Sequence, residues 1–298
     1  MPRVHLVDAT YELFRFWFAH PSRKAPDGRE VGAVRGLLST LIVLCRDEGA
    51  THVACATDHV VRSFRNDLYD GYKTEVGVPN DLLAQFPLAE RAMRALGFVV
   101  WPMVEFEADD ALAAGAVKFS AEADQVILAT VDKDLAQCVQ GERVVMLDRR
   151  RRKILDERGV LDKFGVLPAS IPDWLALVGD AADGYPGLPG WGERSAAAVL
   201  RDYGTIEAIP HDVSAWSARV RGADRLAETL RERMDEALLY KQLATLRTDA
   251  PVPESLDELA WRGATPALRD LTKELGFPDL CARVPRWAAG GDAEIASM

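Results

Sequence analysis

Four short apolar runs, at residues 4–7, 52–57, 98–101 and 125–130, are rich in β-branched and aromatic residues. Longer stretches with helical spacing separate them. Val34, Leu37, Leu38, Leu41, Ile42 and Cys45 form one apolar stripe. Leu82, Phe86, Ala89, Met93 and Leu96 form another, between Pro79 and Gly97, and residues 108–119 form a third. Strands that alternate with helices predict an α/β fold with a mostly parallel, doubly wound sheet. Residues 144–147 and 153–155 read as a hairpin joined through a basic run. From about residue 156 the pattern turns helical, over 159–164, 171–178, 194–203 and 226–246, with a last helix over 266–275. These patterns divide the chain into an α/β domain (1–167), a helical lobe (168–289) and a frayed tail (290–298).

Charge matters through its placement. The chain of 298 residues carries a formal charge of -10, unlike the basic footprint usual for a nucleic-acid binder. The acids, however, gather where the strands end. Val7 runs into Asp8, Thr57 into Asp58, and Val131 into Asp132 and Asp134; Glu107, Asp109 and Asp110 follow the third strand. Ligands of open parallel sheets bind at the carboxyl ends of the strands. Seven carboxylates at one such edge repel one another unless cations hold them. Oxygen-only donors suit Mg²⁺ or Mn²⁺, and the five histidines do not cluster as zinc ligands would. One Asp after a strand is usually a turn residue or helix N-cap, but four acid-bearing strand ends together exceed that explanation. Asp180 and Asp183 add an i, i+3 pair after an apolar helix.

Gly187-Leu188-Pro189-Gly190-Trp191-Gly192 leads into Glu193, Arg194, Ser195 and an Ala-rich helix. It lacks a preceding strand and a Gly-Lys-Ser/Thr ending, so it is neither a dinucleotide fingerprint nor a P-loop. Two readings stay open, a phosphate-contacting turn at a helix start and a tight interhelical connection. The run Arg149, Arg150, Arg151, Arg152 and Lys153 is equally open between a solvated turn and a DNA contact. Composition adds little more. No stretch reaches the ~20 apolar residues of a membrane span. The four cysteines lack zinc spacing, consistent with reduced thiols in a cytoplasm. The first strand starts almost at once, which leaves no room for a signal peptide.

The ordered motifs resemble those of the 5′-nuclease family, seen in the amino-terminal domain of bacterial DNA polymerase I and in flap endonucleases. They are Leu6-Val7-Asp8, Phe64-Arg65, Tyr72-Lys73, Glu107-Ala108-Asp109-Asp110, Asp132-Lys133-Asp134, Gly179-Asp180 with Asp183, and the glycine turn. The resemblance implies a PIN-like domain with a helical arch, plus a helix–three-turn–helix lobe. It implies two divalent metals. Asp8, Asp58, Glu107, Asp109 and Asp110 would mainly serve the first, and Asp132, Asp134, Asp180 and Asp183 the second. Tyr72 and Lys73 would act on the scissile nucleotide, and Arg15 near the substrate's 5′ end. Arg65, Lys73, Gly187, Gly190, Gly192, Arg194 and Ser195 would bind DNA, and the glycine turn would match an element that often holds K⁺. The pattern departs in places. Residues 74–79 lack the usual basic residue and proline pair, Gly184 stands for Asn, and Trp191 for a small aliphatic residue.

The expected activity is two-metal hydrolysis of DNA phosphodiesters by a monomeric, cytoplasmic enzyme of replication or repair, acting on branched or flapped DNA with no membrane partner. A DNA-structure-binding protein that has lost catalysis and a PIN-type ribonuclease are the alternatives. A phosphatase using Asp8 fits less well, because Thr10 occupies the place of its usual second Asp.

Overall fold

The computed structural model describes residues 2–289, so the expected tail at 290–298 lies outside the described residues. Six strands, β1 (Arg3–Asp8), β2 (His52–Asp58), β3 (Val99–Met103), β4 (Gln125–Ala129), β5 (Val144–Asp148) and β6 (Lys153–Leu155), form one sheet in the order β3-β2-β1-β4-β5-β6. All pairings are parallel except β5–β6, the expected hairpin. The strand order reverses at β1, which pairs Val7 with Cys55 on one side and Ala129 on the other. That reversal opens a crevice at the carboxyl ends of β1 and β4.

Alternation along the strands feeds two cores. Val4, Leu6, Ala54, Ala56, Val126 and Leu128 face one, and Val7, Val53, Cys55 and Ala129 the other. The second core is closed by α1 (Ala9–Ala19), α2 (Gly32–Arg46) and, after two four-residue helices α3 (Arg65–Leu68) and α4 (Asn80–Leu83), by α5 (Gln85–Ala95). The α1 helix was not legible as a stripe, because Phe14, Phe16, Trp17 and Phe18 crowd its sequence without a 3.6-residue period. The segment expected to arch over the site is α3, α4 and the turns between them, which carry Tyr72 and Lys73.

The first core holds α6 (Ala108–Ser120), whose buried alanines lie flat on the sheet, and runs without a break into the helical lobe. After α7 (Glu157–Phe164), the lobe contains α8 (Ile171–Val178), α9 (Glu193–Tyr203), α10 (Ala223–Glu232) and α11 (Met234–Ala244). The helix expected over 226–246 is thus two. It breaks at Arg233 (φ -120°, ψ 29°), so that α11 packs along α8 while Leu226 of α10 receives the Trp191 indole N–H. The chain then returns to the α/β half. The Trp261 N–H donates to Thr51 O at 2.7 Å, and α12 (Ala267–Glu274) places Leu268 and Leu271 in the second core. The last segment is therefore shared between the two cores: Val252 and Leu259 pack in the first with the lobe helices, and α12 packs in the second against α5.

Candidate active site

Each strand end delivers its acid. Asp8 caps α1, with Oδ1 accepting the Tyr11 N–H at 2.8 Å and Oδ2 accepting the Thr130 hydroxyl at 2.9 Å. Asp58 accepts the Ala108 N–H at 2.7 Å and so ties β2 to the amino end of α6. Glu107 caps that helix and accepts from Ser63 Oγ at 2.6 Å. Asp109 is half-buried beside them, and Asp132 accepts the Asp134 N–H at 3.0 Å. The N-cap role expected of an isolated strand-end acid is met by Asp8 and Glu107, and the same bonds fix the direction of their carboxylates.

Asp134, Asp180 and Asp183 offer ligand atoms that all lie within 4.8 Å of one another. A tight turn makes this possible. Asp180 N–H donates to Tyr185 O at 2.8 Å, and Tyr185 N–H to Asp180 O at 3.1 Å. Gly184 (φ +91°) lets this turn meet the chain before Lys73: a Cβ there would stand 2.2 Å from Gly71 O. The departure from Asn at this position thus has a backbone reason.

Burial and mutual repulsion weaken these acids. Burial, with the charges of Asp132 and Asp58, lifts Asp8 to about 7. Burial lifts Asp58 to about 6, although Lys73 opposes it. Burial, then Asp132, drives Asp109 and Asp134 well above the carboxylate range. Glu107 goes the other way: burial would raise it, but Lys73 and Arg65 hold it well below. Lys73 Nζ sits 2.7 Å from Glu107 and 2.9 Å from Asp183, and Lys133 Nζ sits 2.9 Å from Asp180.

Some expected site residues lie elsewhere. Asp110 is 0% exposed and both its oxygens are spent, on Arg65 (2.8 Å twice), the Glu107 N–H and the Arg247 N–H. It is corrected from ligand to anchor. Arg65 is held with it, its guanidinium 1% exposed and bonded to Asp110 and to Leu243 O. Tyr72 is 3% exposed, with its hydroxyl 3.3 Å from Glu107, so its ring is not offered to a nucleotide. Arg15 bonds Glu12 one turn earlier and covers the Phe16 ring, and none of its bonds goes to the acid cluster.

In the glycine turn, Gly187 has a structural task. A Cβ there would lie 2.4 Å from Gly179 N, so the two glycines pack backbone on backbone and close the Asp180 turn. Ser195 Oγ is spent on Gly192, 3.0 Å from both its N–H and its carbonyl. Trp191 is anchored by Leu226 O and the Trp216 ring. Gly190 has a positive φ of +85°, and nothing lies within 4 Å of a Cβ built on Gly192. Gly192 is therefore open to an approaching backbone. Arg194 lines a cleft of about 860 Å³ that runs from Asp132 and Asp180 past Lys133, Lys163 and Arg201. Sequence reading overlooked Lys163 and Arg201, which lie outside every motif.

Among the described residues no helix is long and apolar enough to cross a membrane. The model of the 5′-3′ exonuclease N-terminal resolvase-like domain matches residues 3–165, and that of the 5′-3′ exonuclease C-terminal SAM fold matches residues 166–267. Similar proteins include DNA polymerase I of Bacillus caldotenax, 32% identical over 98% of this chain and 33% of its own length. DNA polymerase I of Pseudomonas aeruginosa is 34% identical over 97% of this chain and 32% of its own length. The chain thus spans about a third of the length of the curated relatives it matches. In fold it is similar to the T5 protein crystallised with metal ions (TM-score 0.68, 18% identity, 86% of this chain and 95% of that one). It is also similar to the catalytic core of Rad2 in complex with DNA substrate (TM-score 0.62, 16% identity, 94% of this chain and 90% of that one). On both domain matches and on these relatives, the chain belongs to the 5′-3′ exonuclease family.

Proposed function

We propose that the chain is a structure-specific 5′–3′ exonuclease or flap endonuclease that hydrolyses DNA phosphodiesters with two divalent cations. The observation that carries this reading is the convergence of Asp134, Asp180 and Asp183, ligand atoms within 4.8 Å, beside the acids of three strand ends. The donor set fits a hard divalent cation. It is all oxygen, and Asp134 Oδ1 is buried with no hydrogen-bond partner. Asp134, Asp180 and Asp183, with Asp132 behind Asp134, would hold one Mg²⁺, for which Mn²⁺ can substitute. Asp8, Asp58, Glu107 and Asp109 would hold the other.

Bound there, the cations supply a water of lowered pKa and charge for the attacking and leaving oxygens. The chain's own residues do the rest. Thr130, Tyr11 and Ala108 fix the carboxylates through the hydrogen bonds above. Lys73, already held among the acids, adds positive charge where the scissile phosphate would lie. Arg194, Lys163 and Arg201 give the cleft its cations for the DNA backbone, and Gly192 a close approach to it. The glycine turn is also the proposed place for K⁺. We take the active form to be a monomer acting on branched or flapped DNA in replication or repair.

The T5 flap endonuclease was crystallised as a pseudo-enzyme–product complex with DNA and metal ions, on a fold this chain shares (TM-score 0.66). Competition between matched DNA and RNA 5′ flaps in Mg²⁺ tests the reading. Cleavage of the DNA flap near its junction is expected. Preference for the RNA flap would favour a PIN-type ribonuclease, and tight binding without cutting would favour a binding protein.

A further inference from the structure

Tyr185 follows the Asp180–Gly184 turn and belongs to none of the expected site residues. Its ring is 1% exposed and stacks on Tyr240, with centroids 5.6 Å apart and planes at 22°. Its hydroxyl is buried and has no hydrogen-bond partner. A phenol in an apolar core normally finds a partner, because a buried unmade hydrogen bond costs stability. Only four buried side-chain atoms among the described residues lack one, and Asp134 Oδ1 is another of them. Tyr185 is bonded through both backbone groups to Asp180, which shares the trio with Asp134. Burial pushes the phenol's pKa up, and the charges of Asp134, Asp183 and Asp180 push it the same way.

We propose that Tyr185 is a positioning residue of the Asp134–Asp180–Asp183 cation site, its Oη donating to a water held in that cluster. This rests on the two-cation reading above. The stack on Tyr240 fixes the ring, so the hydroxyl direction is set by α11 of the lobe. An O–H donor there would orient an oxygen whose remaining lone pairs face the cation, as outer-shell partners of metal ligands do. A Phe at this position would fill the same space and supply no donor.

The test is Mn²⁺ binding to the full chain without DNA, followed by calorimetry and by the loss of the free Mn²⁺ resonance signal. Wild-type protein is expected to take up two Mn²⁺. Tyr185→Phe should weaken one of the two by roughly ten- to a hundred-fold, the usual effect of losing an outer-shell partner. Its melting temperature in chelator should stay equal or rise, because the deleted hydroxyl has no partner there. Tyr240→Phe removes a hydroxyl from the stacking partner and should leave the isotherm unchanged. An isotherm for Tyr185→Phe that matches wild type overturns the role of Tyr185 while leaving two cations in place. Equal weakening in both variants reduces Tyr185 to packing. A wild-type chain that binds no Mn²⁺ overturns the two-cation reading and this inference with it.

Discussion

The acids that follow β1, β2 and β3 are held differently from the acids beyond β4. Asp8, Asp58 and Glu107 accept hydrogen bonds from helix-start amides or from the hydroxyls of Thr130 and Ser63. Folding itself sets their positions, because the same bonds begin α1 and α6. Asp180 and Asp183 instead lean on the ammonium groups of Lys133 and Lys73, and Asp134 keeps an oxygen with no partner. The first group is built by caps, with Lys73 and Arg65 adding counter-charge at Glu107, and the second mainly by counter-charge. The difference teaches that the second group is where a cation would gain most. There it would meet an unsatisfied oxygen and displace the ammonium groups of Lys73 and Lys133, with the Ala182 N–H to Asp180 as the backbone bond it would meet.

The largest expected effect breaks the second group. Asp134→Asn should slow single-turnover cleavage by about 10³-fold or more, roughly 4 kcal/mol at the transition state. DNA binding should persist, because Lys163, Arg194 and Arg201, the proposed phosphate ligands, line the cleft and Asp134 does not. Cleavage at the wild-type rate in saturating Mg²⁺ would remove Asp134 from the chemistry.

Next comes the charge that joins the groups, since Lys73 touches Glu107 of one and Asp183 of the other. A lost charge-assisted contact costs ~1.5–3 kcal/mol, and Lys73→Ala should therefore slow cleavage ten- to a hundred-fold. Arg151→Ala should do far less, because that side chain is 77% exposed and reaches only Asp148. If Arg151→Ala is instead the crippling change, the β5–β6 hairpin supplies the charge and the comparison drawn at Lys73 fails.

The smallest effect is on stability, and it sharpens the account of the first group. Asp8 rises to about 7 and Asp58 to about 6, from an ordinary 3.8. Between about pH 4 and 7 the unfolded chain releases protons that the folded chain retains, so stability falls as pH rises through that window. In chelator, the thermal midpoint should be several degrees lower at pH 7.5 than at pH 5. Saturating Mg²⁺ at pH 7.5 should recover it by mass action on the folded state. A midpoint in chelator that climbs from pH 5 to 7.5 would mean that the acids are not crowded as described.

Much of this was legible in the residue pattern, because parallel strands announce themselves as apolar runs and their ends as the acids that follow. The order β3-β2-β1-β4 then brings residues 8, 58, 107 and 132 to one edge. What the pattern concealed depends on distant partners. Arg65 looks like a phosphate ligand until the carbonyls of Leu243 and Thr245, far along the chain, come to bond its guanidinium beside Asp110. Gly187 looks like a DNA contact until Gly179 proves to be packed against it. Tyr185 carries no signal at all in one dimension. Its interest comes only from a buried hydroxyl left without a partner on a residue whose backbone closes the Asp180 turn.

On the proposed reading, the acid edge holds divalent cations against a phosphodiester. The most direct test of that reading is the cleavage rate of a 5′-labelled DNA flap as free Mg²⁺ is raised from none, under chelator, to saturation. The account predicts no cutting in chelator and a rise steeper than first order in Mg²⁺, as two cations fill. It also predicts a product released from the 5′ side of the junction. Cleavage that proceeds unchanged in chelator would contradict it.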